Sequence, residues 1–149
     1  MRQARQRTGY TLIELLIVIV VLAILATLAN ASYRHAVLKS KRVEGRTALL
    51  TLMQQQEQVF AQRMTYLAFS AGTATPPAQQ FKWYSGATPA TSAYEIEATP
   101  CTGKQLAECV LLTAHPGTGR VDSGFVDLAC GRLRLDSIGR KWADGNDCW

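Results

Sequence analysis

The sequence predicts an α+β protein: a long N-terminal helix, apolar in its first half and amphipathic in its second, packed on a small antiparallel sheet of three to four strands. Three observations predict it. Tyr10 to Ala29 is a twenty-residue apolar run with one charge, Glu14. No proline interrupts Asn30 to Leu67, where Leu38, Gly45, Leu49, Met53, Phe60, Met64 and Leu67 recur at steps of three, four or seven. The last third breaks into short alternating runs between turn formers and holds all four cysteines.

Twenty apolar residues suffice for a helix to cross the ~30 Å hydrocarbon layer of a bilayer. A carboxylate inside such a span costs about 2.5–3.5 kcal/mol, so Glu14 needs a partner. An amine freed at Tyr10 by cutting after Gly9 is the nearest available one. The helix then continues on Ala, Leu, Gln, Lys, Arg, Met and Glu, all good helix formers. Lys39, Lys41, Arg42, Arg46, Gln54, Gln55 and Glu57 fall mainly off its apolar stripe. At ~1.5 Å per residue a helix from Tyr10 to about Ala68 is roughly 90 Å long. A compact domain of this size cannot bury such a rod, so half of it must be covered by lipid or other subunits.

Gly9-Tyr10-Thr11-Leu12-Ile13-Glu14 and its apolar tail resemble the type IV pilin signature. The resemblance implies a pilin fold and a basic leader, residues 1–9, removed after Gly9 by a prepilin peptidase that also methylates Tyr10. It further implies that Glu14 is the assembly carboxylate, paired with the N-terminal amine of a neighbouring subunit. Tyr10 stands where phenylalanine is more usual. The run from Tyr33 through Lys39-Ser40-Lys41-Arg42-Val43-Glu44 is similar to PilE-like minor pilins, as are Leu49-Leu50, Met64-Thr65-Tyr66, the block from Asp127 through Cys130, Leu133, Asp136 and Gly139 to Lys141, and the terminal Cys148-Trp149. Many pilins carry a proline where this chain has Ala31, and its absence suggests a straighter helix.

An ordinary secretory signal is the rival reading of the N-terminus. Its basic and apolar regions would be followed by Ala29-Asn30-Ala31 as a small-residue cleavage site. That reading leaves Glu14 unexplained and starts the mature chain mid-helix.

The net charge of +5 is partly a leader effect. Without Arg2, Arg5 and Arg7, sixteen basic residues become thirteen against eleven acidic ones, leaving +2. That is too mild to argue for nucleic acid as a partner. The basic run Arg34, Lys39, Lys41, Arg42, Arg46 suits lipid headgroups before assembly and acidic residues of neighbouring subunits afterwards, ahead of DNA uptake.

Residues 70–77 open a turn-rich loop to about Ala93, in which Phe81, Trp83 and Tyr84 are expected to pin the loop to the fold and, less simply, could form an adhesive patch. Tyr94–Ala98, Val110–Ala114 and a hairpin joining Leu133–Asp136 to Arg140–Trp142 read as strands. Cys101, Cys109, Cys130 and Cys148 behind a membrane-directed N-terminus read as two disulfides in an oxidising compartment. Zinc is a poor alternative, because no CxxC occurs and His35 and His115 stand apart. Of the three possible pairings, Cys101 with Cys109 and Cys130 with Cys148 is favoured, the second tying the tail to the sheet.

No enzyme constellation is visible. His115 lacks an evident catalytic partner, and Asp122, Asp127 and Asp136 have no EF-hand spacing, which leaves turn or capping roles ahead of a calcium cluster. No cofactor is expected. The sequence therefore reads as a minor pilin with four segments: leader 1–9, transmembrane and filament-core helix 10–31, amphipathic half 32–68, and disulfide-bonded head 69–149. The expected partners are other pilin subunits, the prepilin peptidase and methyltransferase, and an inner-membrane assembly platform. The expected location is the inner membrane of a Gram-negative cell with a periplasmic head, then an extracellular pilus serving biogenesis, adhesion or twitching motility. A type II secretion pseudopilin and a soluble periplasmic binding domain are the alternatives.

Overall fold

The computed structural model describes residues 10–73 and 76–149, without the side chains of 28–31. It divides into two units, Met1–Val37 and Leu38–Trp149. Helix α1, Leu12–Arg63, supplies nearly all that is described of the first and one face of the second. Thr11 caps it, its Oγ1 accepting the Glu14 N–H at 3.3 Å. Thr11-x-x-Glu14 has the spacing of a capping box, with the acid in the first turn where the helix dipole favours it.

The helix ends at Arg63, about one turn before the expected Ala68. Met64 adopts the left-handed conformation (φ 56°) and donates its N–H to the Phe60 carbonyl at 2.8 Å, a helix-terminating geometry. Met64 is thereby turned outward, 70% exposed, and does not extend the apolar stripe as its spacing suggested. The chain reverses, Tyr66 stacks on Phe60 at 4.5 Å, and Gln56 closes the reversal. The Gln56 amide donates to the Leu67 carbonyl at 2.7 Å and accepts the Leu67 N–H at 2.9 Å, as a neighbouring strand would.

Four antiparallel strands follow in sequential order: β1 (Tyr94–Pro100), β2 (Val110–Pro116), β3 (Leu133–Asp136) and β4 (Lys141–Ala143). Period-two alternation turns Tyr94, Ile96, Ala98, Val110, Leu112, Ala114, Leu133 and Leu135 inward, where they join Leu49 and Leu52 of α1 in one core. Gly45 lets the first turns of this packing close. A Cβ there would lie 2.8 Å from the Tyr94 ring. The 69–93 loop covers the free side of β1, with Ile96 donating to the Trp83 carbonyl at 2.6 Å and Ser85 to the Tyr94 carbonyl at 3.0 Å. Phe81 is buried and stacks on Phe69 at 5.0 Å, so it anchors the loop as expected. At the opposite edge β4 has only three residues, and the Trp149 indole lies against it, donating to the Trp142 carbonyl at 2.9 Å.

The cysteines pair as Cys101–Cys109 and Cys130–Cys148, with Cα–Cα distances of 5.5 and 5.7 Å. The second loop returns the C-terminal tail to the segment leading into β3, which suits a head with so small a core.

Candidate functional site

Two places in the chain carry the residues that matter. The first is the apolar half of α1. From Leu12 to Leu25 its large side chains are exposed, from 49% at Val21 to 80% at Leu12, and the helix is long and apolar enough to cross a membrane. Among the described residues of the first unit nothing covers these side chains. Glu14 sits in the first turn, held there by the Thr11 cap, four residues beyond the 86%-exposed Tyr10. Gly9 lies outside the described residues, as do the side chains of Ala29, Asn30 and Ala31 that a signal peptidase would read.

The second place is in the head, and the sequence reading missed it. Arg42 and Asp127 form a two-pronged ion pair, Nε to Oδ2 at 2.7 Å and Nη2 to Oδ1 at 2.6 Å. Tyr94 donates its hydroxyl to Oδ2 at 3.0 Å, and the Cys130 N–H donates to Oδ1 at 3.0 Å. The Asp127 side chain is wholly buried and that of Arg42 is 20% exposed. Burial by itself would raise the Asp127 pKa, yet the bonds from Arg42, Cys130 and Tyr94 together hold it below the ordinary carboxylate value. Burial, then the Asp127 charge, pushes the Tyr94 phenol up. One carboxylate thus joins α1, β1 and the disulfide-closed tail. Its signal was present: Leu38, Arg42, Gly45 and Leu49 step by four, three and four, so Arg42 occupies the buried stripe instead of lying off it.

The basic run is therefore not free for headgroups or neighbours throughout. Besides the Arg42 pair, Lys41 bonds Glu44 at 3.4 Å and the Thr91 carbonyl at 3.0 Å, and Glu44 accepts the Ser85 hydroxyl at 3.1 Å. His115 also has a partner that its turn position hid: Nε2 lies 2.9 Å from Glu97 on the adjacent strand. The three aspartates do not converge. Asp122 accepts the Gly124 N–H, Asp127 binds Arg42, and Asp136 holds the β3–β4 turn and Arg140. Among the described residues no three His, Cys, Asp or Glu side chains are placed to hold a metal ion.

The sequence motif Gly9-Tyr10-Thr11-Leu12-Ile13-Glu14 at the head of an exposed apolar helix, continued into an α+β head with two disulfides, defines the type IV pilin class. The prokaryotic N-terminal methylation motif matches residues 4–30, and the family described as "Type IV minor pilin ComP, DNA uptake sequence receptor" matches residues 31–134. The chain belongs to this type IV minor pilin family. Similar solved structures include a type IV pilin from Shewanella oneidensis (24% identical, covering 75% of this chain and 97% of that one, TM-score 0.47). The Neisseria meningitidis non-core minor pilin PilV is another (18% identical, covering 75% and 91%, TM-score 0.49). No curated protein matches the chain.

Proposed function

We propose that this protein is a minor subunit of a type IV pilus, held in the inner membrane through residues 10–31 with its head in the periplasm, cut after Gly9, methylated on Tyr10, and added to a filament by burying its Tyr10–Ala29 surface against related helices. The observation that carries the reading is an apolar half-helix with exposed side chains and one carboxylate in its first turn, lying within the residues that match a methylation motif. Glu14 contributes register and recruitment more than affinity, because a buried charge pair returns little net energy. Mass spectrometry of the N-terminus, on protein from membranes and from sheared pili, tests the processing. Methyl-Tyr10 is expected. A chain retaining Met1–Gly9 in working fibres, or one starting at Ser32, overturns the reading. In the same assay Glu14→Ala should leave membrane levels unchanged and lower incorporation into pili by at least about tenfold, the equivalent of 1.4 kcal/mol of lost recruitment.

A second reading extends the family's printed description, a DNA uptake sequence receptor, to this head. Two cation–aromatic pairs favour it, Lys82 over Tyr84 at 4.8 Å and Lys141 over Trp149 at 5.7 Å. Such pairs join a phosphate contact to a base-stacking surface. Lys141→Ala should then weaken duplex binding and reduce the slope of log K against log salt by about one, measured by fluorescence anisotropy. An unchanged slope removes Lys141 from any DNA contact.

A further inference from the structure

The loop along β1 leaves a backbone edge of its own open. Tyr84 forms an antiparallel bridge with Glu95 of β1. On one side of the bridge the Trp83 carbonyl accepts the Ile96 N–H at 2.6 Å, and on the other the Ser85 N–H donates to the Tyr94 carbonyl at 3.0 Å. Bonds that flank a bridge in this way mark a non-hydrogen-bonded pair, in which the bridging residue turns its own N–H and C=O away from the partner strand. Among the described residues neither group of Tyr84 has a partner, nor has either backbone group of Lys82 two residues earlier. The edge closes at Gly86, whose N–H donates to Ser92 Oγ at 2.8 Å.

Helix α1 stands opposite this edge across a cavity of about 370 Å³, at the small end of ligand pockets. Thr47, Thr51 and Gln55 recur at steps of four and line it with a polar row, beside the more buried Ala48 and Leu52. A strand laid on Tyr84 would lie ~4.8 Å from it and have α1, not another strand, at its far side. The groove therefore admits a single extended segment and excludes the sheet edge of a second copy. The backbone groups at the far side of that segment would meet the Thr47 and Thr51 hydroxyls and the Gln55 amide, which have no hydrogen-bond partner among the described residues.

The lining also selects side chains. Glu44 is already held by Lys41 at 3.4 Å and by the Ser85 hydroxyl at 3.1 Å. Lys82 lies over the Tyr84 ring at 4.8 Å and has no acidic partner among the described residues. Lys82 and Tyr84 thus share one face of the edge, and Trp83 takes the other, against the core. A residue opposite Lys82 is favoured as an acid, and its successor, turned like Trp83 toward Ala48 and Leu52, must be small and apolar. We propose that this groove takes an extended acidic segment of another protein, added beside Tyr84 as a further strand with a carboxylate on Lys82. Filament incorporation does not depend on this edge, so failure of the test leaves that reading intact.

The test is titration of the full chain in detergent micelles with the peptide acetyl-Ser-Asp-Ala-Val-Ser-amide, read by backbone amide signals in two-dimensional NMR and by hydrogen exchange. A saturable shift and slowed exchange of the Tyr84 N–H are expected, at millimolar affinity for so short a ligand. The same peptide N-methylated at Asp, Ala and Val keeps its side chains but lacks the donors a strand needs, and should not bind. Replacing its Asp by Lys should weaken binding to the parent about threefold, the scale of one exposed ion pair, and Lys82→Glu should reverse that preference. Lys82 is exposed, so the variant is expected to keep the parent's circular dichroism spectrum. Absence of a saturable Tyr84 shift, equal binding of the N-methylated peptide, or indifference to the charge swap overturns the proposal. So does a Tyr84 shift that grows with protein concentration alone, which would assign the edge to a second copy.

Discussion

Asp127 spends its four lone-pair directions on Arg42 twice, on Tyr94 and on the Cys130 amide. Removing its charge while keeping its shape leaves the mostly buried Arg42 guanidinium without a counter-ion, and breaking a buried pair in this way costs about 3 kcal/mol or more. The folded carboxyl titrates below its ordinary 3.8, so its ionised form stabilises the fold fully above that value, and the contribution is lost as pH falls from there through the lower pKa of the folded state. Thermal melts between neutral and strongly acid pH should show the parent losing stability on acidification. Asp127→Asn should start lower and lose less. Some acid dependence will remain, because Asp144, hydrogen-bonded by Arg132 and Arg134, is also held well below the usual carboxylate range. A variant as acid-sensitive as the parent would show that the pair carries no such role. The pair escaped the sequence reading because a basic run beyond a membrane span looks like surface charge. Only its place in the stripe distinguished Arg42, and nothing local linked it to a residue eighty-five positions away.

At the scale of elements, α1 and β1 approach through Gly45 and Tyr94. Gly45 lies inside a helix, where alanine has the better propensity by roughly 1 kcal/mol. Here that gain is reversed, since the added methyl would sit 2.8 Å from a buried ring that is also fixed by its bond to Asp127. Gly45→Ala is expected to destabilise the head by about 1–3 kcal/mol, as overpacked cores do, measured by urea unfolding. A stability gain would mean that the ring yields easily. The sequence showed Gly45 in the stripe by spacing, but could not distinguish a packing glycine from a weak point. Gln56 was missed for a different reason. Apolar periodicity has no place for an amide, although its position, four residues beyond Leu52, continues the line from Gly45 and Leu49. The end of α1 was also misplaced, because Met64 continues the period while its backbone leaves the helix.

Across the whole molecule, the parts legible from the sequence are those that local pattern controls. The strand positions followed from alternation, the apolar span from composition, and the processing motif from Gly9 to Glu14. What pattern could not supply was long-range: the sequential strand order, the loop hydrogen-bonded along β1, and the contact between Trp149 and β4. The short loop from Cys101 to Cys109 favoured the pairing that the fold shows, but four cysteines permit three pairings and only the fold brings Cys148 to Cys130.

Beside β4 the Trp149 ring acts as a bumper. An open strand edge is a template on which another copy can stack, and short length, a lysine and an obstructing ring all discourage this. Trp149→Ala should leave the melting temperature of the head within a few degrees of the parent, but make concentrated samples cluster on standing, visible by light scattering. Wherever copies of this chain crowd together, such a bumper would keep their sheets apart and leave association to their apolar helices.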